Sequence, residues 1–134
     1  MRRSTISCAL VLALVVPLTF EGSALANYRE PTSLTIHRSP SGRVDPGTRI
    51  TIKGRLKSDR PACRRFKVIK LIRVGDGVID RDRTNRFGRY EFKRRVWRTK
   101  MFRTRFDGTR RGVHPDIRVC LASRSRTITV RVRN

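Results

Sequence analysis

The sequence predicts an all-β fold, a sandwich of about seven short antiparallel strands. Three observations predict it. Apolar residues alternate with cations at a period of two in one segment after another. Clusters of Pro, Gly, Ser, Asn and Asp interrupt these segments at short intervals. No apolar period of 3.6 residues persists long enough to specify a helix.

Residues 1–26 read as a signal peptide and are set apart from the fold. Arg2 and Arg3 form a positive start, Cys8–Phe20 an apolar core, and Ala24-Leu25-Ala26 a small-residue cleavage site. The core is short and broken by Pro17, so a membrane anchor is not expected. Cleavage after Ala26 would leave residues 27–134 as one exported, unanchored domain, with no transmembrane span in the mature chain. It would also remove Cys8. An even pair in an oxidising compartment predicts the disulfide Cys63–Cys120. His37 and His114 lack metal-ligand spacing, so neither a metal nor another cofactor is expected.

The strands follow in order. After a polar lead at 27–32, Ser33–His37 places Leu34 and Ile36 inward. Residues 38–47 are a connection closed by Pro46-Gly47, where proline fixes φ and glycine accepts the positive φ of a type II turn. The strand leaving that turn sets Ile50, Ile52 and Leu56 against Arg49, Thr51, Lys53 and Arg55. Phe66–Val74 is the most apolar stretch, with Phe66, Val68, Ile72 and Val74 on one face and Ile69 and Leu71 on the other. A central strand or a bulge gives that pattern. Val78 and Ile79 begin a short edge strand, and 80–86 is read as a charged connection. Tyr90, Phe92 and Val96 then point inward, as do Phe102, Thr104 and Phe106. Trp97 breaks phase, either capping the core edge or lying exposed. Residues 107–115 read as a loop, followed by inward Ile117, Val119 and Leu121 and by a last strand with Ile128, Val130 and Val132.

Charge bounds the function. Lys and Arg number 33 against 10 Asp and Glu, a net of +23, and losing Arg2, Arg3 and Glu21 with the leader leaves +22. Self-repulsion at this density opposes compaction unless a polyanion shares it. Codon usage in a GC-rich genome explains arginine over lysine but not the shortage of acids, which such codons also encode.

Two motifs carry a family resemblance. Val44-Asp45-Pro46-Gly47 leading into Ile50-Thr51-Ile52-Lys53-Gly54 resembles the second-strand signature of bacterial extracellular immunoglobulin-like domains. Thr84-Asn85-Arg86-Phe87-Gly88-Arg89-Tyr90-Glu91-Phe92 resembles a hairpin those domains share with transthyretin-like modules. With Cys63 and Cys120, the chain is similar to small secreted single-domain proteins of actinobacterial type. The resemblance implies an immunoglobulin-like antiparallel sandwich at 27–134 with an adhesive, structural or spacer role, and supplies no catalytic residues. In antibody-type domains a tyrosine precedes the second cysteine by two residues, whereas Arg118 stands there in this chain. The bridge is therefore expected between connections at one end of the sandwich and not through its core.

Candidate sites are cationic. Arg103, Arg105, Arg131, Arg133 and Lys67 are expected on the outer face of one sheet, and Lys53, Arg55, Lys93 and Arg95 on the other. Arg110, Arg111, Arg124 and Arg126 are expected to cluster near Cys120, beside Arg60, Arg64 and Arg65. Guanidinium engages phosphate or sulfate through paired hydrogen bonds, so these residues point to an anionic polymer or surface: a cell-wall polyanion, nucleic acid or anionic glycan. Phe66, Phe87, Tyr90, Phe92, Phe102 and Phe106 read mostly as core, leaving Trp97 and Tyr28 as platforms. Asp76, Asp80 and Asp82 fit no calcium loop and read as charge pairs in a turn. His114, Asp116 and Ser123 or Ser125 have nothing to fix a triad geometry, and no nucleophile elbow, zinc-protease motif or phosphate loop is present. A non-enzymatic binding module is therefore expected. The alternatives are a cationic effector acting on membranes or other cells and a small secreted hydrolase.

Overall fold

The computed structural model describes residues 27–134, so the expected signal peptide lies outside the described residues. Those residues form an all-β, sandwich-like fold of several sheets without an α-helix, interrupted by one 3₁₀ turn at Pro61–Cys63.

One sheet is built on β4 (Thr48–Lys57). Its start is set by the predicted turn, in which Gly47 has φ +83° and the Thr48 amide donates to the Asp45 carbonyl at 3.1 Å. Along one edge it pairs antiparallel with β7 (Arg89–Val96), from Thr48 opposite Val96 to Arg55 opposite Arg89. Along the other lie β2 (Ser33–Leu34) and β3 (His37–Ser39). The second sheet runs from β6 (Gly77–Arg83) through β5 (Val68–Arg73) to β8 (Lys100–Phe106). Beyond β8, β11 (Ser123–Arg124) and β12 (Ile128–Val130) pair with it in succession. At the break between them, Ser125 Oγ accepts the Thr104 amide at 2.8 Å, so the ladder loses no partner there. A third, small sheet has β10 (Arg118–Cys120) at its centre, with β9 (Thr109–Arg111) antiparallel and β1 (Tyr28–Glu30) parallel to it.

Inward residues of the two larger sheets make a common core. Ile36, Ile50, Ile52 and Leu56 from one and Ile69, Leu71, Phe102, Phe106 and Val130 from the other are buried, as are Tyr90 and Phe92. The Tyr90 hydroxyl donates to the Thr35 carbonyl and shares a hydrogen bond with Thr104 Oγ1 at 3.0 Å. Cys63 and Cys120 are bonded, with Cα atoms 5.4 Å apart. The bridge ties the 3₁₀ turn to β10 and so staples the small sheet to the end of the larger pair.

Five readings are corrected. In β5 the inward face is Ile69 and Leu71, while Phe66, Val68 and Val74 are exposed. Ile72 is buried too, but on the opposite face, paired with Arg103 of β8 and Val78 of β6, so both faces of β5 carry buried apolar residues. The first strand is interrupted at Thr35 and Ile36 and extends to Ser39. There the Thr35 hydroxyl accepts the Arg55 amide at 2.9 Å, and the Tyr90 hydroxyl occupies the Thr35 carbonyl. The charged run after Ile79 continues β6 as far as Arg83, because its acids and arginines alternate at strand period. Residues 27–32 and 107–115 each contribute a strand to the small sheet. Ile117, Val119 and Leu121 are only half-buried, since β10 belongs to that sheet and Cys120 is its inward residue.

Candidate anion-binding site

The end of the molecule held by the disulfide carries a groove, two adjoining cavities of about 320 and 380 Å³ that share Phe66, Lys67, Arg83, Thr109 and Arg111. Arg65, Arg118 and Tyr28 complete one half, and Lys70 and Asp107 lie in the other. Its floor is the segment between the 3₁₀ turn and β5, and β9 forms one wall. Arg83, the last residue of β6, faces that wall.

Thr84 fixes the floor. Its hydroxyl donates to the Arg64 carbonyl at 2.7 Å and accepts the Lys67 amide at 2.8 Å, while its own amide donates to the Lys67 carbonyl at 2.8 Å. Arg83 Nη1 donates to the Phe66 carbonyl at 3.1 Å. Phe66 itself has φ +53°, the one positive φ outside glycine among the described residues. That conformation is disfavoured for a bulky L residue, and it leaves the ring 58% exposed.

The groove is electrostatically uncompensated. No carboxylate lies within ion-pair distance of Lys67, Arg83 or Arg111 among the described residues. Burial, and then the nearby charges of Arg111 and Arg83, hold the Lys67 ammonium below the usual lysine pKa. Asp107, at the far end, is committed to Lys70 and to Arg105, the latter at 2.7 Å. The Lys70 hydrogen bond is the main reason its carboxyl titrates below the usual range.

The predicted arginines are distributed unevenly about this groove. Arg65 and Arg111 line it. Arg60 sits 3.8 Å over the Tyr28 ring and 3.9 Å from Glu30. Arg64 turns away, donating to the Ser58 carbonyl at 2.7 Å. Arg110 is exposed on β9, one residue out of phase with Arg111. Arg105 stands between Lys70 and Arg124 across three strands, making a row of cations, and Arg103 is on the same strand opposite Ile72. Arg126 reaches the Ile36 carbonyl at 3.2 Å, Arg133 pairs with Asp45 at 2.9 Å, and Arg131 is exposed. Arg103, Arg105, Arg124, Arg126, Arg131 and Arg133 do not line the groove.

Arg83 and Phe66 are the residues that sequence reasoning missed. The two-residue alternation of Asp80, Arg81, Asp82 and Arg83 was the signal for the first. For the second it was the odd spacing of Phe66 from Ile69 and Leu71, which puts the ring off the core face. Phe87 is also exposed, with Arg86 and Arg89 4.8 and 5.8 Å from its ring centre. Trp97 is 67% exposed and lies over Gly47 of the turn. Exposed aromatics are therefore interleaved with cations, contrary to the expectation that Phe66 and Phe87 belong to the core.

Other constellations are engaged elsewhere. Ser123 Oγ accepts from Thr32, Ser125 Oγ donates to the Arg126 carbonyl, and Asp116 pairs with Arg118. Asp76 pairs with Arg73, and Asp80 lies 4.0 Å from Arg94. Both Asp82 oxygens accept backbone amides, from Arg83 and Glu91. Among the described residues no three His, Cys, Asp or Glu side chains gather as metal ligands. A larger cavity, about 710 Å³, lies beside Thr35, Lys53 and Tyr90, and Asp82 and Glu91 line it among its cations.

No family model matches the chain, and no curated protein matches it.

Proposed function

We propose that this chain is an exported, strongly basic immunoglobulin-like module that binds an anionic polymer without catalysing a reaction. The strand order supports the fold assignment. β2 and β3, β4 and β7 form one layer, and β6, β5, β8 and β11 with β12 the other, the pairing expected of A, B and E against C′, C, F and G. The connections after β4 and after β8 then share one end, and the disulfide joins them.

One observation carries the binding function. Lys67, Arg83 and Arg111 converge on a groove without a carboxylate within ion-pair distance of them, in a molecule whose β4–β7 ladder already sets cations opposite cations. A polyanion stabilises convergent cations that no carboxylate neutralises. The test is a salt titration of the purified protein against DNA, teichoic acid and heparin. Affinity is expected to fall steeply and log-linearly with salt, as counterion release requires. Affinity that survives high salt, or no binding at low salt, would overturn the proposal. Leakage of anionic vesicles by the folded protein would instead mark a membrane-active effector.

A further inference from the structure

We propose that the groove at the disulfide end is a nucleotide subsite for single-stranded nucleic acid, with Lys67, Arg83 and Arg111 on one phosphate and the Phe66 ring stacked on a neighbouring base. The inference rests on the polyanion reading and narrows it to one polymer.

Charge alone would suit any polyanion. What separates a nucleotide from a sulfated sugar or a glycerol phosphate is a flat aromatic face, and the groove presents its complement. Phe66 is a large apolar side chain held in solvent by a disfavoured backbone conformation, and four hydrogen bonds to Arg83 and Thr84 keep that segment in place. Backbone strain of this kind persists where the surroundings over-determine it, and it concentrates at binding sites. The same hydrogen bond that steadies the Phe66 carbonyl also orients the Arg83 guanidinium, so ring and cation are placed as a unit. Tyr28 lines the adjoining half of the groove, but Arg60 covers its ring, so Phe66 is the stacking face. Each half, about 320 and 380 Å³, has the volume of a small-ligand site. Aromatics beside a cationic groove are the arrangement that binds single strands without reading their sequence.

Fluorescence anisotropy of the purified protein with oligo-dT, an abasic oligonucleotide of equal length, and heparin tests this. Oligo-dT is expected to bind roughly 5- to 150-fold more tightly than the abasic strand, the contribution of one or more stacked bases. Phe66→Gly tolerates the positive φ and removes the ring. It should lower oligo-dT affinity by a similar factor and leave heparin affinity within about twofold, whereas Phe66→Tyr should restore the oligo-dT value. Arg111→Gln should weaken both polymers and reduce the salt slope by about one. Equal binding of oligo-dT and the abasic strand by the unmodified protein overturns the nucleotide subsite and leaves the polyanion reading standing. So does an equal loss for heparin and oligo-dT in Phe66→Gly. A protein that binds none of the three probes overturns both.

Discussion

Removing the disulfide should destabilise this protein by several kcal/mol, and the loss should begin in the small sheet. Cys63 and Cys120 are 57 residues apart in sequence, and closing a loop of that length restricts the unfolded chain by about 4 kcal/mol in the chain-entropy treatment. Both side chains are buried, so Cys63→Ala with Cys120→Ala is the least disruptive replacement. Against a domain stability of roughly 5–15 kcal/mol, the expected fall in melting temperature is on the order of 15–30 °C. Location is the sharper part of the prediction. β1, β9 and β10 pair in ladders only with one another, and the bridge is the covalent tie between β10 and the turn after β4. Urea unfolding followed by circular dichroism gives the total, and amide exchange gives the place. Protection should fall first in β9 and β10, while β4, β7 and β8 keep theirs. A loss below about 1 kcal/mol, or uniform deprotection of all sheets, would refute the view that the bridge staples a weakly attached wall to an otherwise sufficient core.

The core and the charge make three further predictions. Gly54→Ala would drive a Cβ into the Thr35 carbonyl and against the Tyr90 hydroxyl, so thermal melting should show a loss of at least about 2 kcal/mol. Burial pushes the Tyr90 phenol up to about 12 from 10.0, so its contribution is whole below pH 10 and is lost as pH rises from there towards about 12. Urea unfolding between pH 8 and 12 should therefore show an alkaline loss of order 2 kcal/mol that Tyr90→Phe lacks, and parallel curves for the two proteins would refute it. Added sodium chloride should raise the melting temperature of the free protein, because repulsion outweighs attraction on its surface; a fall with salt would show that its ion pairs dominate.

The sandwich was legible because burial at a period of two leaves a direct imprint on the residues. Ile50, Ile52 and Leu56, Tyr90, Phe92 and Val96, and Phe102 and Phe106 all face the core as their spacing requires. The cysteine pair was legible from arithmetic alone. Legibility failed where side chains and backbone exchange roles. Thr35 interrupts a strand because its own hydroxyl and that of Tyr90 satisfy the ladder, and no pattern of apolar residues records such a substitution. It failed again at β5, where buried apolar residues on both faces made two phases equally plausible. Strands β1 and β9 of the small sheet escaped because they are three residues long and carry no inward apolar row.

The groove was hidden for a different reason, which bears on what so much charge is for. Cations spread through a chain of net charge +23 cannot be ranked from sequence, since nearly every segment has them. The fold ranks them by how it allots the few acids. Glu30, Asp45, Asp76, Asp80, Asp107 and Asp116 all have basic partners, and none of those partners is Lys67, Arg83 or Arg111. Across β4 and β7, Arg49 faces Arg95 and Arg55 faces Arg89, like-charge pairs that each cost a few tenths of a kcal/mol and are relieved by water and salt. Lys67 is different, because it is partly shielded from water as well as crowded by Arg83 and Arg111. A phosphate oxygen placed among the three would relieve that repulsion. The useful distinction among these arginines and lysines is thus between charge that water already satisfies and charge that it does not. By that criterion the proposed anion site lies at the mouth of the groove and not on the broad basic faces of the sheets.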